Sequence, residues 1–249
     1  MEIVRRTGIQ VTGEGAHEVS DAIIVEGRVR LFLNGDLLTT LVASHDRLDD
    51  LGAGFVISEG IVDEVDSVSV SGNDVHITAP ARRNLELATE SSGGSCALGE
   101  PGSVESSITI TADGIRAVTA AIESETWRKT GGVHCSVLFC GGELITRACD
   151  VGRHNTVDKV VGYAVLRGLD RSRCILGCTG RQPAGMVAKA ANAGIPIVVS
   201  RAATTDRGIL TAENAGLTLV GFSRGERFTI YTHPERVPEV LKQLEKTTK

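Results

Sequence analysis

A chain of 249 residues, 41% hydrophobic and 23% charged, is ordinary for a globular protein and long enough for one large domain or two modest ones. Its net charge of −5 argues against a general nucleic-acid binder, so any positive site must be local. The apolar runs are short and residues 1–20 carry no signal-peptide core. The expectation is a cytoplasmic protein outside the membrane, whose six cysteines are free, catalytic or metal-binding rather than a disulfide framework.

The first third reads as strand. Residues 22–25 and 29–33 flank one turn, and Asn34-Gly35-Asp36 signals a hairpin into residues 37–42. A helix is expected from Asp46, with Leu48, Leu51, Phe55 and Val56 on one face. "VSVSGNDVHIT" forms another hairpin, turning at Gly72-Asn73-Asp74. The stretch "ESSGGSCALGEPGS" then sets Cys96 among glycine, serine and small polar residues that give it no core to pack into. Residues 91–107 are read as a flexible loop between a smaller β-rich subdomain, 1–90, and a second domain, 108–249.

In the second part a helix is expected over 113–125. "GGVHCSVLFCGGELITRACD" follows, two strands around Gly141-Gly142. A two-residue turn there pairs Cys140 with Glu143 and, counting back, sets His134 opposite Cys149. A helix from about Asn155 carries Val157, Val160, Val161, Ala164 and Val165 at the helical period, with Asn155 and Asp158 as a capping box. The strands "CILGC", "IPIVVS" and "LTLVGF" then alternate with the helices "AGMVAKAANAG" and "DRGILTAENAG", each stopped by Asn-Ala-Gly. Near-continuous apolar strands alternating with helices indicate an α/β fold with a largely parallel sheet covered on both faces. "ERFTIYT" adds an antiparallel strand, and a charged amphipathic helix runs from Pro234.

Ligands of open α/β sheets bind beyond the carboxyl ends of the strands. Those ends carry Thr179-Gly180-Arg181, Ser200-Arg201, Phe222-Ser223-Arg224-Gly225 and "DVGRHN", which places Arg153 and His154 ahead of a helix. Any one of these arginines reads equally well as a solvated loop residue. Four of them at four strand exits, in an acidic chain, point to one anionic ligand, because guanidinium forks and helix N-termini suit phosphate oxygens. There is no Walker loop and no G-x-G-x-x-G after a strand.

Metal chemistry is not signalled. Cys174 and Cys178 stand roughly 13 Å apart on an extended strand, too far to share a zinc ion. The β/α order is like that of zinc deaminases, but His154-Asn155-Thr156 and Pro183-Ala184-Gly185-Met186 lack the required glutamate and both cysteines, which excludes deaminase chemistry. Cys135, Cys140, Cys149 and Cys174 fall within strands and read as packed small hydrophobes, while Cys178, at a strand exit, stays open between roles. Cys96 combines the exposure and small neighbours that a thiol reacting with a second protein needs, the alternative being an incidental surface cysteine.

"TGGVH", "DVGRHNTVDKVVG", "TGR", "KAANAGIPIVVSRAAT" and "GLTLVGFSRGERFTIYT" together resemble the formate dehydrogenase accessory sulfurtransferase family (FdhD), as do "FLNGDLLTT" and "LGAGFVISEG". The resemblance covers nearly the whole chain. It implies a cytidine-deaminase-like α/β/α domain without zinc behind a smaller N-terminal subdomain. It also implies a sulfur carrier required for formate dehydrogenase activity and a homodimer, which the composition already sets in the cytoplasm with no nucleic-acid or membrane partner. Such a protein accepts persulfide sulfur from a cysteine desulfurase and passes it to the bis(molybdopterin guanine dinucleotide) molybdenum cofactor before that cofactor enters formate dehydrogenase, whose catalytic subunit is a further expected partner.

The family loop is similar to "SCxxCG", and this chain reads Ser95-Cys96-Ala97-Leu98-Gly99. Cys96 matches the first, persulfide-bearing cysteine; the second is replaced by Gly99 or deleted. Pro183 and Gly185 depart from the usual "SGRxSxEM", removing a polar and an acidic side chain near the pocket. The cofactor-binding stretch maps onto Phe222-Ser223-Arg224-Gly225-Glu226-Arg227, with Phe222 toward a guanine or pterin face and Arg224 and Arg227 toward phosphates. Arg181, Arg201, His134, Arg153 and His154 join it, with Asp150 and Asn155 behind. Both histidines read equally as hydrogen-bonded structural residues. The competing functions are a chaperone that delivers the cofactor without transferring sulfur and a plain guanine-nucleotide binder.

Overall fold

The structure is a computed structural model and describes residues 1–80, 87–90, 94–97 and 101–247, with the backbone alone for 87–90, 94–97 and 247. β1 (Ile3–Thr12) and β2 (Gly15–Ile24) form an antiparallel ribbon. β3 (Gly27–Leu33) and β4 (Asp36–Ala43) make the expected hairpin, with Asn34 and Gly35 at the φ of 52° and 95° that a tight turn between strands requires. With β5 (Ser67–Ser71) and β6 (Asp74–Thr78) they build a four-stranded sheet ordered β4-β3-β6-β5, parallel only between β3 and β6. Helix α1 (Leu48–Ser58) lies between β4 and β5 in the chain. β7 (Leu87–Glu90) pairs with β8 (Gly94–Ala97), Cys96 opposite Ala88. The Cys96 side chain lies outside the described residues, as do residues 91–93 and 98–100 of its segment.

The larger sheet holds β9 (His134–Cys140), β10 (Glu143–Asp150), β11 (Cys174–Cys178), β12 (Ile197–Ser200), β13 (Thr218–Arg224) and β14 (Arg227–Ile230), ordered β10-β9-β11-β12-β13-β14. Its centre, β11-β12-β13, is parallel as the alternation requires. On one face α2 (Ala112–Ala121) packs Ile115 and Val118 against Val137, Ile175, Ile197 and Val199. On the other, α4 (Arg153–Leu166) and α5 (Ala184–Asn192) bury Val157, Val160 and Val187 against Leu138, Leu176 and Val198. The short α3 (Glu125–Thr130) follows α2; α6 (Asp206–Ala215) packs with α5, and α7 (Pro238–Thr247) ends the chain. Gly194 and Gly216 take the positive φ that stops α5 and α6, as the two Asn-Ala-Gly signals predict. Among the described residues no helix is long and apolar enough to cross a membrane.

Helix α1 joins the two sheets. It packs on β5 and β6 and also on α4 and α5, so its residues share a single core with Leu31 and Val75 of the smaller sheet and Val161 of α4. The α1–α4 contact is backbone against backbone. A Cβ on Gly54 would lie 1.7 Å from the Asp158 carbonyl oxygen, and one on Gly162 would lie 1.8 Å from that of Asp50.

Two buried ion clusters flank this contact. Lys159 Nζ meets Asp150 Oδ2 at 2.7 Å and Asp46 Oδ1 at 3.1 Å. Lys189 Nζ meets Glu59 Oε1 at 2.6 Å, Asp158 Oδ1 at 2.8 Å and Ser58 Oγ at 3.0 Å. Their side chains are 0% and 2% exposed, so both charges depend on these partners. Burial works against the Lys189 charge, but Asp158 and Glu59 more than offset it and raise its pKa.

Four local expectations are corrected. The helix expected over 113–125 breaks into α2 and α3, because the Ser124 hydroxyl accepts the Trp127 N–H and starts a second helix. α4 begins at Arg153 after Gly152, because Asp150 Oδ1 accepts the Gly152 N–H at 2.9 Å and turns the chain early. Asn155 is therefore inside the helix, donating to Asp150 Oδ1 and the Val42 carbonyl, both at 2.8 Å, and Asp158 serves Ser58 and Lys189 rather than a capping box.

The β9–β10 hairpin starts as expected, with Cys140 opposite Glu143, but it bulges between Leu144 and Thr146. The extra residue sets Asp150, not Cys149, opposite His134. Finally, Cys140 and Cys174, expected to be packed thiols, are register partners on β9 and β11 with Cα atoms 4.4 Å apart and form a disulfide. Strand partnership of this kind is not written in the spacing of the two cysteines.

Gly54→Ala should cost about 1–3 kcal/mol of stability by forcing the helices apart, and Lys189→Met about 3–5 kcal/mol by stranding two buried carboxylates. Gly102→Ala, where a Cβ meets nothing within 4 Å, is the control. Urea denaturation of the three variants checks this, and a Gly54→Ala midpoint equal to the control's would refute the contact.

Candidate functional site

The carboxyl ends of β10, β11, β12 and β13 and the amino end of β9 meet at one edge of the larger sheet. Here a cleft of ≈ 540 Å³ opens, lined by His134, Thr179, Arg201 and Arg224 on the sheet side and by Ser124 and Trp127 at the start of α3. His134 and Thr179 share a hydrogen bond at 3.0 Å between Nδ1 and Oγ1. Burial, and then the Arg153 charge, lower the His134 pKa, which keeps the imidazole neutral. Arg201 pairs with Glu123 at 3.0 Å, and Arg224 Nε donates to the Arg201 carbonyl at 2.9 Å. The two arginines from adjacent strand exits are thereby fixed to each other.

A second cationic group stands beside the first. The backbone of Gly180 packs on Arg153, where a Cβ would lie 3.0 Å from the Arg153 Cβ. Burial, and then the neighbouring Arg181 charge, depress the Arg153 pKa. The loop carrying Arg181 is held from below: Gln182 Nε2 donates to the Gly180 carbonyl at 2.9 Å, and Ser200 Oγ donates to it at 2.7 Å.

His154 lies next to this pair. Both its ring nitrogens are buried without a hydrogen-bond partner among the described residues. Burial, followed by the charges of Lys189, Arg153 and His134, lowers its pKa to about 3, so it is a neutral imidazole with an unused donor and an unused acceptor. Native proteins rarely leave such a group unpaired except where a ligand or water completes it.

The sequence-selected residues separate in space. His134, Arg201 and Arg224 share the cleft, while Arg153, His154 and Arg181 gather beside it. Of the stretch 222–227, Arg224 is the member that lines the cleft. Phe222 is half-buried at a positive φ of 50°, tied through its N–H to the Ala202 carbonyl. Ser223 is buried and turned toward α2, its Oγ 2.5 Å from Thr119 Oγ1, and Glu226 pairs with Arg116 of α2 at 2.8 Å. Gly225 supplies the turn into β14, and Arg227 is exposed on that strand.

Asp150 and Asn155 are spent on each other and on their buried partners. Cys178, open between roles in the sequence, is fully enclosed, and burial raises its thiol to about 11, which leaves it protonated. The α3 contribution of Glu123, Ser124 and Trp127 is absent from the sequence reading. Its signal was Ser124 followed directly by Glu125, an N-cap residue with an acid in the first turn, hidden inside an assumed longer helix. No three His, Cys, Asp or Glu side chains gather into a metal-holding group among the described residues.

Comparison with known proteins agrees with this architecture. The model of the FdhD/NarQ family matches residues 24–238. A sulfur carrier protein FdhD from Methanothermobacter thermautotrophicus is 35% identical over 251 residues, covering 95% of this chain and 100% of that protein. Another, from Wolinella succinogenes, is 36% identical over 242 residues, 88% of this chain and 84% of its own. A crystal structure from Desulfotalea psychrophila, assigned as a formate dehydrogenase accessory protein, is similar with a TM-score of 0.80 at 25% identity, over 94% of this chain and 99% of that one. On the family match and the full-length relatives together, the chain belongs to the FdhD/NarQ family.

Proposed function

We propose that this protein is a sulfur carrier required for formate dehydrogenase activity. Cys96 takes sulfur from the persulfide of a cysteine desulfurase, and the protein hands it to the bis(molybdopterin guanine dinucleotide) molybdenum cofactor as a sulfurtransferase. The observation that carries this reading is the cationic cleft at the strand exits, in a chain whose family also includes relatives named sulfur carrier proteins. The Cys96 thiolate attacks the outer sulfur of the donor persulfide; the donor cysteine leaves as a thiolate, and the sulfur stays on Cys96. The cofactor is cargo and acceptor here.

Its phosphates suit the forks of Arg201, Arg224, Arg153 and Arg181. His134 and His154 offer neutral donors and acceptors. Phe222 offers a ring to a guanine or pterin face, and Arg227 a charge at the rim. Ser223 and Glu226 act by fixing β13 and its turn to α2. The strand order β10-β9-β11-β12-β13, with its antiparallel edge and parallel centre, supports reading residues 108–249 as a cytidine-deaminase-like domain behind the subdomain 1–90 and the segment 91–107. Working partners on this reading are the desulfurase, the formate dehydrogenase catalytic subunit and a second copy of the chain, in the cytoplasm.

One feature favours a second reading. The loop has Gly99 where the family's second cysteine is expected, which suits a chaperone that delivers the cofactor without transferring sulfur. Incubation with a cysteine desulfurase and cysteine, followed by intact-mass and peptide analysis, separates the two. Sulfur transfer predicts one added sulfur on the Cys96 peptide, lost in Cys96→Ser; an unloaded Cys96 in a protein that still binds the cofactor would establish the chaperone instead. Independently, Arg224→Ala should weaken guanosine diphosphate binding roughly tenfold or more, the worth of a charge-assisted hydrogen bond. Titration calorimetry reads it directly, and an unchanged affinity would remove the cleft from the ligand's path.

A further inference from the structure

The free cysteines among the described residues are Cys135, Cys149 and Cys178. Two of them face each other: Cys135 on β9 and Cys149 on β10 are register partners. The backbone shows what kind of partners they are. Cys135 donates its N–H to Thr179 Oγ1 at 3.0 Å, and its carbonyl accepts the Thr179 N–H at 3.0 Å, so both its polar groups point toward the β11 side. Toward β10 the pair is therefore non-hydrogen-bonded, the position where facing Cα atoms come within about 4.5 Å and side chains are closest.

By the alternation along β9, Cys140 turns its backbone the other way, and its facing position on β11 is of the same kind. There Cys140 and Cys174 are bonded. A site that admits a cross-strand disulfide is thus repeated at the other end of β9 with both thiols free.

The two thiols differ in access. Cys135 is 1% exposed and packs in the core beneath α2, and the hydrogen bond to Cys149, together with burial, raises its pKa strongly. Cys149 is half-buried. The Cys135 hydrogen bond lowers it to about 7 against burial, with Ser124 and Arg147 lowering it further and Asp46 opposing them. Ser124 is itself a wall of the cleft. An ionisable, half-buried thiol therefore lies against Ser124 of the cleft wall, with a protonated thiol as its register partner.

We propose that Cys149 is a second sulfur-accepting thiol and Cys135 its resolving partner, acting on a low-molecular-weight persulfide, R–S–SH. The substrate class rests on the sulfur-carrier reading, whereas the juxtaposition of the thiols does not. The Cys149 thiolate attacks the outer sulfur, the S–S bond breaks, and R–S⁻ leaves, giving Cys149–S–SH. With the Cys149 thiolate charge that raised its pKa consumed in the persulfide, Cys135 gives up its proton and attacks Cys149 Sγ. The bond from Sγ to the outer sulfur breaks, and hydrosulfide departs with the electron pair and takes up the Cys135 proton. The cysteines are oxidised to a disulfide while the sulfane sulfur is reduced to sulfide, and a dithiol reductant restores the pair.

The test uses the full chain carrying Cys96→Ser, with glutathione persulfide as the probe. Sulfide should be released in proportion to protein, and peptides containing Cys135 and Cys149 should become linked, lighter by two hydrogens. Adding Cys135→Ser should hold one extra sulfur on Cys149 and cut sulfide release by about tenfold or more. Adding Cys149→Ser, or Cys149→Ala should the serine variant not fold, should abolish both products. Linkage or release that survives loss of Cys149, or no retained sulfur in Cys135→Ser, overturns the proposal. A Cys96 that loads from the desulfurase while this pair stays inert sinks this inference alone. A reactive pair beside a Cys96 that never loads sinks the sulfur-carrier reading instead.

Discussion

The backbone contact between α1 and α4 governs how everything around it can be arranged. With Gly54 and Gly162 at the crossing, no side chain separates the helices, and polar groups on both are carried into the interior. A charge buried there is tolerable only if it is paired and hydrogen-bonded. Lys189 answers Glu59 from the end of α1 and Asp158 from α4; Lys159 answers Asp46 from the β4–α1 connection and Asp150 from β10. Replacing such clusters with well-packed apolar groups can leave stability unchanged. Their contribution is one of register: they fix where each element stops along its neighbour.

That register reaches the candidate site through Asp150. Its two carboxylate oxygens accept from the Ser44 N–H and hydroxyl, from Lys159, from the Gly152 N–H and from Asn155. Asn155 in turn holds the Val42 carbonyl. The end of β4 and the β10–α4 turn are thereby one rigid corner, and Arg153 and His154 emerge from it. The cationic edge of the larger sheet is positioned by the smaller one. An acidic chain that gathers four arginines and a neutral, unpartnered histidine at one edge carries a local cost there, which an anionic ligand with hydrogen-bonding edges would offset.

The parts of this legible in the sequence are those governed by neighbours in the chain. Alternating strands and helices gave away the parallel centre, Asn-Gly marked the β3–β4 turn, and Asn-Ala-Gly marked two helix ends. The arginines at strand exits were found because the carboxyl ends of parallel strands share an edge. Residues whose roles depend on a distant partner were misread or missed. Asn155 looked like a cap because its partners, Asp150 and Val42, come from other strands. Nothing in the stretch around Ser223 and Glu226 tells of their partners Thr119 and Arg116 on α2. Cys140 and Cys174 found each other only through the antiparallel register of β9 and β11.

The bulge in β10 shows how far one such residue reaches. Without it, Cys135 would face Ala148, and Cys149 would sit opposite His134 on the α4 side of the sheet. Asp150 would turn toward α2, because a one-residue slip exchanges every side chain between faces. With it, Asp150 lies on the face where Lys159 waits, and Cys149 lies on the other face beside Cys135 and Ser124. The same irregularity therefore builds the corner that presents Arg153 and His154 and sets two free thiols opposite each other behind Ser124 of the cleft wall. Any change that restored a regular hairpin would remove both at once, which ties the anionic site and the thiol pair to a single extra residue in one strand.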